Sequence, residues 1–185
     1  MTNLMRYVAI DIETTGLNPE RCQVIELAAV VETDWHTPVE QLPTFHRFVN
    51  PGDEIRGEAY ALWMNANILL QTKDAADLHG NLIDLGAFVR EFFGERSVTI
   101  AGKNFGAFDY RFLSRNEGWR FVRHKHRFID VGNLYWNPAT DVDLPALKEC
   151  QIRAGVPHRE EHRAVDDCRA VIECVRAWHK KGGAA

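Results

Sequence analysis

The sequence predicts an α/β fold, a mixed five-stranded sheet flanked by helices. Three observations lead there: closely spaced strand-like runs open the chain, strands then alternate with helical segments, and a long amphipathic helix ends it. Residues 7–13 alternate β-branched and other types and read as a strand, which Thr14-Thr15-Gly16-Leu17-Asn18-Pro19 breaks with turn-forming residues. Residues 24–31 are mostly apolar, as in a buried strand. Residues 33–43 read as a loop and 45–49 as a third strand, ended by Asn50-Pro51-Gly52. Helical segments are expected near 58–70 and 82–93, then a strand from Val98 and a helix over 105–113 with Asn104 as its N-cap. Ile129-Asp130-Val131 reads as a short fifth strand, followed by a helix near 144–154. Ala164, Val165, Cys168, Val171, Ile172, Val175 and Trp178 recur at three- and four-residue steps, the pattern of a helix with one buried face.

Several acids fall where this patterning expects apolar residues. In the first strand, period two puts Val8, Ile10 and Ile12 on one face and Ala9, Asp11 and Glu13 on the other. The two carboxylates point the same way and repel strongly unless a cation or proton lies between them. Phe105, Phe108 and Phe112 form one helical stripe, and Asp109 falls within it. In the terminal helix Asp166 lies roughly opposite the apolar centre, whereas Asp167 lies about 80° from it, on the border of the buried face. Asp167 is therefore the better ligand candidate, and Asp166 is expected to be solvated. His162 precedes Asp167 by five residues, about 140° away if helical, so it shares a site only from a loop or first turn ahead of the helix. Taken singly, an acid on a helix is usually a solvated or capping group and a histidine a surface residue. Together the four acids suggest a metal site with hard oxygen ligands.

Asp11-Ile12-Glu13-Thr14-Thr15-Gly16-Leu17, Asn104-Phe105-Gly106-Ala107-Phe108-Asp109 and His162-Arg163-Ala164-Val165-Asp166-Asp167 resemble the three motifs of the DEDDh 3′-to-5′ exonucleases. That group includes polymerase proofreading subunits, RNase T and oligoribonuclease. The motifs occur in family order, the resemblance runs from about Tyr7 to Trp178, and residues 1–185 are expected to form one exonuclease domain. It implies a ribonuclease H-like fold and hydrolysis of single-stranded DNA or RNA from the 3′ end to nucleoside 5′-monophosphates. Asp11, Glu13, Asp109, His162 and Asp167 would be the catalytic residues. On this resemblance Asp11 bridges two divalent cations, Mg²⁺ or Mn²⁺, Glu13 and Asp167 hold the one that activates water, and Asp109 supports the second. His162 would be the general base, a role its ordinary pKa of about 6.5 suits. Backbone near Thr14 and Gly16 would meet the terminal sugar, and Leu17 would wedge the last bases. Trp63, Met64, Asn65 and Phe108 are candidates for the terminal nucleotide's pocket, with Asn104 a helix cap, a support for the site, or both. Core packing competes for Trp63 and Met64, because Tyr60, Leu62, Trp63 and Met64 are together too apolar to separate faces. The His-Arg-Ala-x-Asp-Asp form looks closest to oligoribonuclease, whose relatives are often dimers. A second copy, or a polymerase or repair complex, is the protein partner this implies.

Composition sets bounds on these readings. With 185 residues and 45% hydrophobic content the chain is long enough for one sizeable core. Cys22, Cys150, Cys168 and Cys174 have no zinc-type spacing and read as small thiols in a reducing cytoplasm. Residues 1–6 carry no apolar signal region, and no run approaches the roughly 18 apolar residues of a membrane span, so a soluble cytoplasmic protein is expected. A net charge of −4 is unusual for a polyanion binder; bound cations would bring four carboxylates close to neutrality. One stretch is locally basic: Arg120, Arg123, His124, Lys125, His126 and Arg127, interleaved with Trp119, Phe121 and Phe128. It either tracks a single strand and stacks its bases or is a solvated loop with its aromatics in the core. Two rivals stand beside the exonuclease. A non-catalytic binding module of the same fold is disfavoured by the intact acids. A nuclease that cuts internally, or acts on free nucleotides, is separable by the cleavage pattern of an end-labelled oligonucleotide.

Overall fold

The computed structural model describes residues 6–158 and 163–182. Strands β1 (Tyr7–Thr14), β2 (Val24–Glu32) and β3 (Thr44–Phe48) pair antiparallel. Strands β4 (Val98–Gly102) and β5 (His124–Asp130) join parallel to β1, giving the order β3-β2-β1-β4-β5. The helices are α1 (Ala59–Met64), α2 (Ala66–Leu69), α3 (Leu78–Phe93), α4 (Asp109–Leu113), α5 (Val131–Tyr135), α6 (Leu147–Ala154) and α7 (Ala164–Gly182). This is the mixed five-stranded sheet the sequence predicts.

The alternation of β1 divides the core in two. Val8, Ile10 and Ile12 pack with Leu82, Leu85 and Val89 of α3 and with Phe105, Phe112 and Trp119. Tyr7 and Ala9 point to the other side, where Cys168, Val171, Ile172 and Val175 of α7 cover them together with Cys150 and Ala154 of α6. Burying such aliphatic and aromatic side chains on both faces stabilises the sheet by roughly 1.5–3 kcal/mol each. All four cysteines are buried and free, and among the described residues no helix is long and apolar enough to cross a membrane.

Several local expectations are corrected. The helix expected over 105–113 is confined to Asp109–Leu113, and Asn104 is not its N-cap: it takes a left-handed φ of 62° and starts a turn instead. That turn is stitched by Ala107 and Phe108 N–H groups donating to the Asn104 carbonyl. The fifth strand begins at His124 rather than Ile129, and Val131 starts a helix because the Asp130 side chain caps it through Gly132 N–H. The segment near 58–70 breaks at Asn65 into two short helices. Helix α3 starts four residues early, where Asp77 caps it by accepting from Gly80 N–H.

β2 is buried throughout, and two of its nine residues are acids, Glu26 and Glu32. Each meets an arginine of the α7 segment. Arg176 donates to both Glu32 oxygens at 2.6 and 2.9 Å and to the carbonyls of Thr37 and Asp34. Arg163 donates to Glu26 from Nε at 3.1 Å, and the Ala164 N–H donates to the other oxygen at 3.4 Å. His46 of β3 completes the Glu26 site at 2.6 Å. The six-residue step from Glu26 to Glu32 spans about 20 Å of strand, and the thirteen-residue step from Arg163 to Arg176 spans about 20 Å of helix. The two ion pairs therefore match as rungs of one ladder and fix α7 lengthwise on the sheet. Arg176→Ala should cost about 3–5 kcal/mol in chemical denaturation, because Glu32 is left as a buried unpaired charge. The Glu32→Leu/Arg176→Leu double variant should lose substantially less; equal losses would mean that the charge pairing is irrelevant.

Candidate active site

Asp11 and Glu13 project from the end of β1 onto the face that α7 covers, and Asp167 descends to them from the first turn of α7. Ligand oxygens of Asp11, Glu13 and Asp167 all lie within 4.8 Å of one another. Small residues allow this approach. Ala28 pairs directly with Asp11, Ala9 precedes it on the same face, and Ala164 and Cys168 are the residues that α7 sets against them. The Cys168 thiol reaches the Ala28 carbonyl at 3.6 Å. Asp166 points away and is half-buried beside Arg169, 3.6 Å off, rather than simply solvated.

Asp109 is 2% exposed. Past the last β1–β4 pair, at Ala9 and Ala101, the Ile12 N–H donates to Asp109 Oδ1 at 3.2 Å, tying α4 to β1 across 97 residues of sequence. Phe108 and Phe112, its neighbours on the helical stripe, pack on each other with ring centroids 5.2 Å apart. Asp109 lies outside the tight triad, yet its charge is felt strongly at Asp11.

These acids raise one another's proton affinity. Burial, then the charges of Asp109, Asp167 and Glu13, push Asp11 well above the ordinary carboxylate range. Burial and then Asp167 and Glu26 push Glu13 up to about 8, against a lowering hydrogen bond from Asn65. Burial takes Asp109 up to about 7, although the Ile12 N–H opposes it and the charges of Asp130 and Asp167 add to it. Recessed carboxylates at this spacing are a hard, oxygen-only donor set whose members repel one another when ionised, which fits a divalent cation. Asp11, Glu13 and Asp167 are the residues that would hold it, with Asp109 beside them.

The other predicted residues fall into groups. Thr14 is buried, its hydroxyl donating to the Gly16 carbonyl. At Gly16 (φ 156°) a Cβ would come within 2.6 Å of Cys22 Sγ and 2.8 Å of the Glu58 side chain, so only glycine fits. Leu17 is 70% exposed, with its N–H bound to Glu58 Oε1. Trp63 is 72% exposed and Met64 is exposed too, on a helix with no buried residue, so core packing does not explain either. Tyr60 stands beside Trp63, ring centroids 6.2 Å apart. Asn65 is buried and spends its amide on the Thr14 carbonyl at 2.9 Å. Asn104 is exposed, and Phe108 is half-buried. His162 lies outside the described residues.

Two residues escaped the sequence reading. Glu26 pairs across the strands with Glu13, and burial would raise it, but His46 and Arg163 hold it below its ordinary range. An acid in an otherwise apolar buried strand was the available signal. Asp130 accepts from both Asn104 N–H and Gly132 N–H, bracing the turn that leads to Asp109. Its signal was an acid between the apolar Ile129 and Val131.

Raised folded-state pKa values mean that the metal-free fold holds protons which the unfolded chain releases above pH 4 to 5. Stability should therefore fall as pH rises from about 5 to about 8, the range over which Asp109 and Glu13 ionise. Thermal melts in EDTA should show that decline, and excess Mg²⁺ should raise Tm more at pH 8 than at pH 5. Asp11→Asn should flatten the EDTA profile and raise Tm at pH 8 by roughly 2–8 °C, about 1–2 kcal/mol of repulsion relieved. A variant no more stable than wild type at pH 8 would contradict the assigned repulsion.

The exonuclease family model, which bears the name RNase T, matches residues 8–175. Curated relatives include the oligoribonuclease of Hahella chejuensis, 25% identical over 97% of this chain and 96% of the relative. The oligoribonuclease of Pseudomonas aeruginosa is 26% identical, over 96% of each. The PolC-type DNA polymerase III of Clostridium perfringens is 28% identical over 95% of this chain, which spans only 11% of that polymerase. In architecture the chain resembles the nuclease domain of 3′hExo, a DEDDh family member solved with rAMP, at a TM-score of 0.73 and 17% identity, covering 98% of this chain and 94% of that one. Escherichia coli Exonuclease I, solved with a dA16 oligonucleotide, gives a TM-score of 0.72 at 14% identity, covering 97% of this chain and 42% of that one. The mixed sheet with its flanking helices is thus the ribonuclease H-like fold, and the chain belongs to the exonuclease family, carrying the motifs of its DEDDh group.

Proposed function

We propose that this chain is a metal-dependent 3′-to-5′ exonuclease that removes nucleoside 5′-monophosphates from single-stranded DNA or RNA. The observation that carries the reading is the convergence of Asp11, Glu13 and Asp167 within 4.8 Å, recessed and raising one another's proton affinity. Two divalent cations held there would lower the pKa of the attacking water and stabilise charge on the scissile phosphate. Asp11, Glu13 and Asp167 would hold them, with Asp109 supporting the set from beside it. His162 takes the water proton as the new oxygen–phosphorus bond forms; the bond to the 3′-oxygen breaks, and that oxygen is protonated from solvent. Leu17, Tyr60 and Trp63 offer exposed apolar surface beside the acids for the last bases. Asn65, bonded to both Thr14 and Glu13, is assigned to shape the pocket rather than to read the nucleotide.

A second, finer reading is an oligoribonuclease-like enzyme for very short RNA. Full-length similarity to two oligoribonucleases favours it. A side-by-side assay of DNA and RNA oligomers from dinucleotide upward with Mn²⁺ separates the two.

With a 5′-labelled oligonucleotide the products should shorten stepwise, and discrete internal cuts would refute the exonuclease reading. Asp167→Asn should reduce turnover on the order of 10²–10³-fold, equivalent to several kcal/mol of lost charge stabilisation. His162→Ala should lose about 10²-fold or more while keeping the Mg²⁺-dependent rise in Tm. Unchanged turnover in that variant would make the histidine a bystander.

A further inference from the structure

We infer that Lys125, His126 and Arg127 form a phosphate-backbone contact for the part of a single-stranded nucleic acid that trails away from the 3′ end. The inference rests on the exonuclease reading for its substrate class, but on separate residues. In the pairing of β4 with β5, Val98 faces His124 and Ile100 faces Phe128. One β4 residue, Thr99, thus stands opposite three of β5, and those three are extruded as a bulge on the outermost strand. All three are exposed.

The bulge is built rather than slack. On entry, His124 Nδ1 donates to the Lys125 carbonyl at 2.9 Å, and its Nε2 accepts from Trp119 Nε1 at 3.0 Å, so one neutral tautomer satisfies both. On exit, Phe128 stacks edge-on against the buried Phe105 at 5.0 Å and lies near Tyr110 at 5.6 Å. Phe105 belongs to the turn that leads into Asp109, and Asp130, two residues beyond Phe128, holds the start of that turn. The bulge is therefore braced directly against the side of the site that carries Asp109.

Its charge is uncommitted. Arg123 is paired with Glu95, and Arg163 and Arg176 with buried acids, whereas among the described residues Lys125 and Arg127 make no ion pair. Charge and a bulge both discourage an edge strand from pairing with another chain. Three consecutive cationic or protonatable residues are also a local excess of positive charge in a chain of net charge −4. The neighbouring aromatics do not stack bases: Trp119 is buried, and Phe121 and Phe128 are half-buried, Phe128 against the core. What faces outward is cation without aromatic, a surface that recognises phosphate and is indifferent to sequence. Arg127 and Lys125 lie three and five residues before Asp130, at most about 10 and 17 Å along the strand. At a stacked rise of about 3.4 Å that separation from Asp130 corresponds to roughly three to five nucleotides, more than a dinucleotide spans.

The test is fluorescence anisotropy in EDTA, where cleavage is suppressed, with a 5′-labelled dinucleotide and a dodecamer over a range of salt. For Lys125→Gln/Arg127→Gln the slope of log affinity against log salt should fall by about 1.4 for the dodecamer, at about 0.7 per single-strand phosphate contact. Each single variant should show half of that, and dinucleotide binding should not change. An unchanged dodecamer slope, or equal weakening of both lengths, overturns the inference. Wild-type protein that binds the dodecamer in this length-dependent way but never shortens it once Mg²⁺ or Mn²⁺ is supplied would overturn the exonuclease reading and leave the contact standing.

Discussion

The position of α7 along β2 is the constraint on which the site depends. Asp167 is one helical turn beyond Arg163, so whatever fixes Arg163 fixes the third carboxylate of the triad. Sliding the helix by one residue would move Asp167 by about 1.5 Å and swing it by about 100°, out of reach of Asp11 and Glu13. Apolar packing alone tolerates such slips poorly but does not forbid them. Two ion pairs of matched spacing do, because a slipped helix would strand Glu32 without its arginine and leave Glu26 with His46 alone. The small residues between the rungs then let the helix settle close enough for carboxylates to meet.

The same closeness works against stability. Glu26 sits opposite Glu13 and adds to the charge burden, while its own charge is absorbed by His46 and Arg163. The chain thus keeps two kinds of buried acid side by side. One is compensated within the protein and holds the architecture; the other is crowded with acids that raise one another's proton affinity. That asymmetry distinguishes a scaffold carboxylate from a reactive one more sharply than burial does.

Much of this was legible in the sequence because it follows from short-range periodicity. Period two in β1 assigned Val8, Ile10 and Ile12 to one layer and Asp11 and Glu13 to the other, as observed. The helical wheel separated Asp167 from Asp166 for the same reason. What could not be read depends on contacts distant in sequence. The Asn104 turn is held by Asp130, so a cap-forming residue in a left-handed conformation looked like a helix start. The length of β5 was hidden because an edge strand with a bulge exposes successive residues and loses its alternation. Glu26 passed unnoticed in an apolar run because its partners lie on β3 and beside α7.

The loop after β1 is tied to the α1 segment at many points. Thr15 Oγ1 donates to the Arg56 carbonyl, Glu58 N–H to the Thr15 carbonyl, Leu17 N–H to Glu58, and Asn65 to the Thr14 carbonyl. Gly16 closes this seam with no room for a side chain. The exposed Leu17, Tyr60 and Trp63 are thereby mounted on one stiff jaw that is continuous with β1, not on a hinged lid. Exchanging those outward side chains would leave the seam and the acids in place, so on the proposed function the surface met by substrate can change without disturbing the carboxylates.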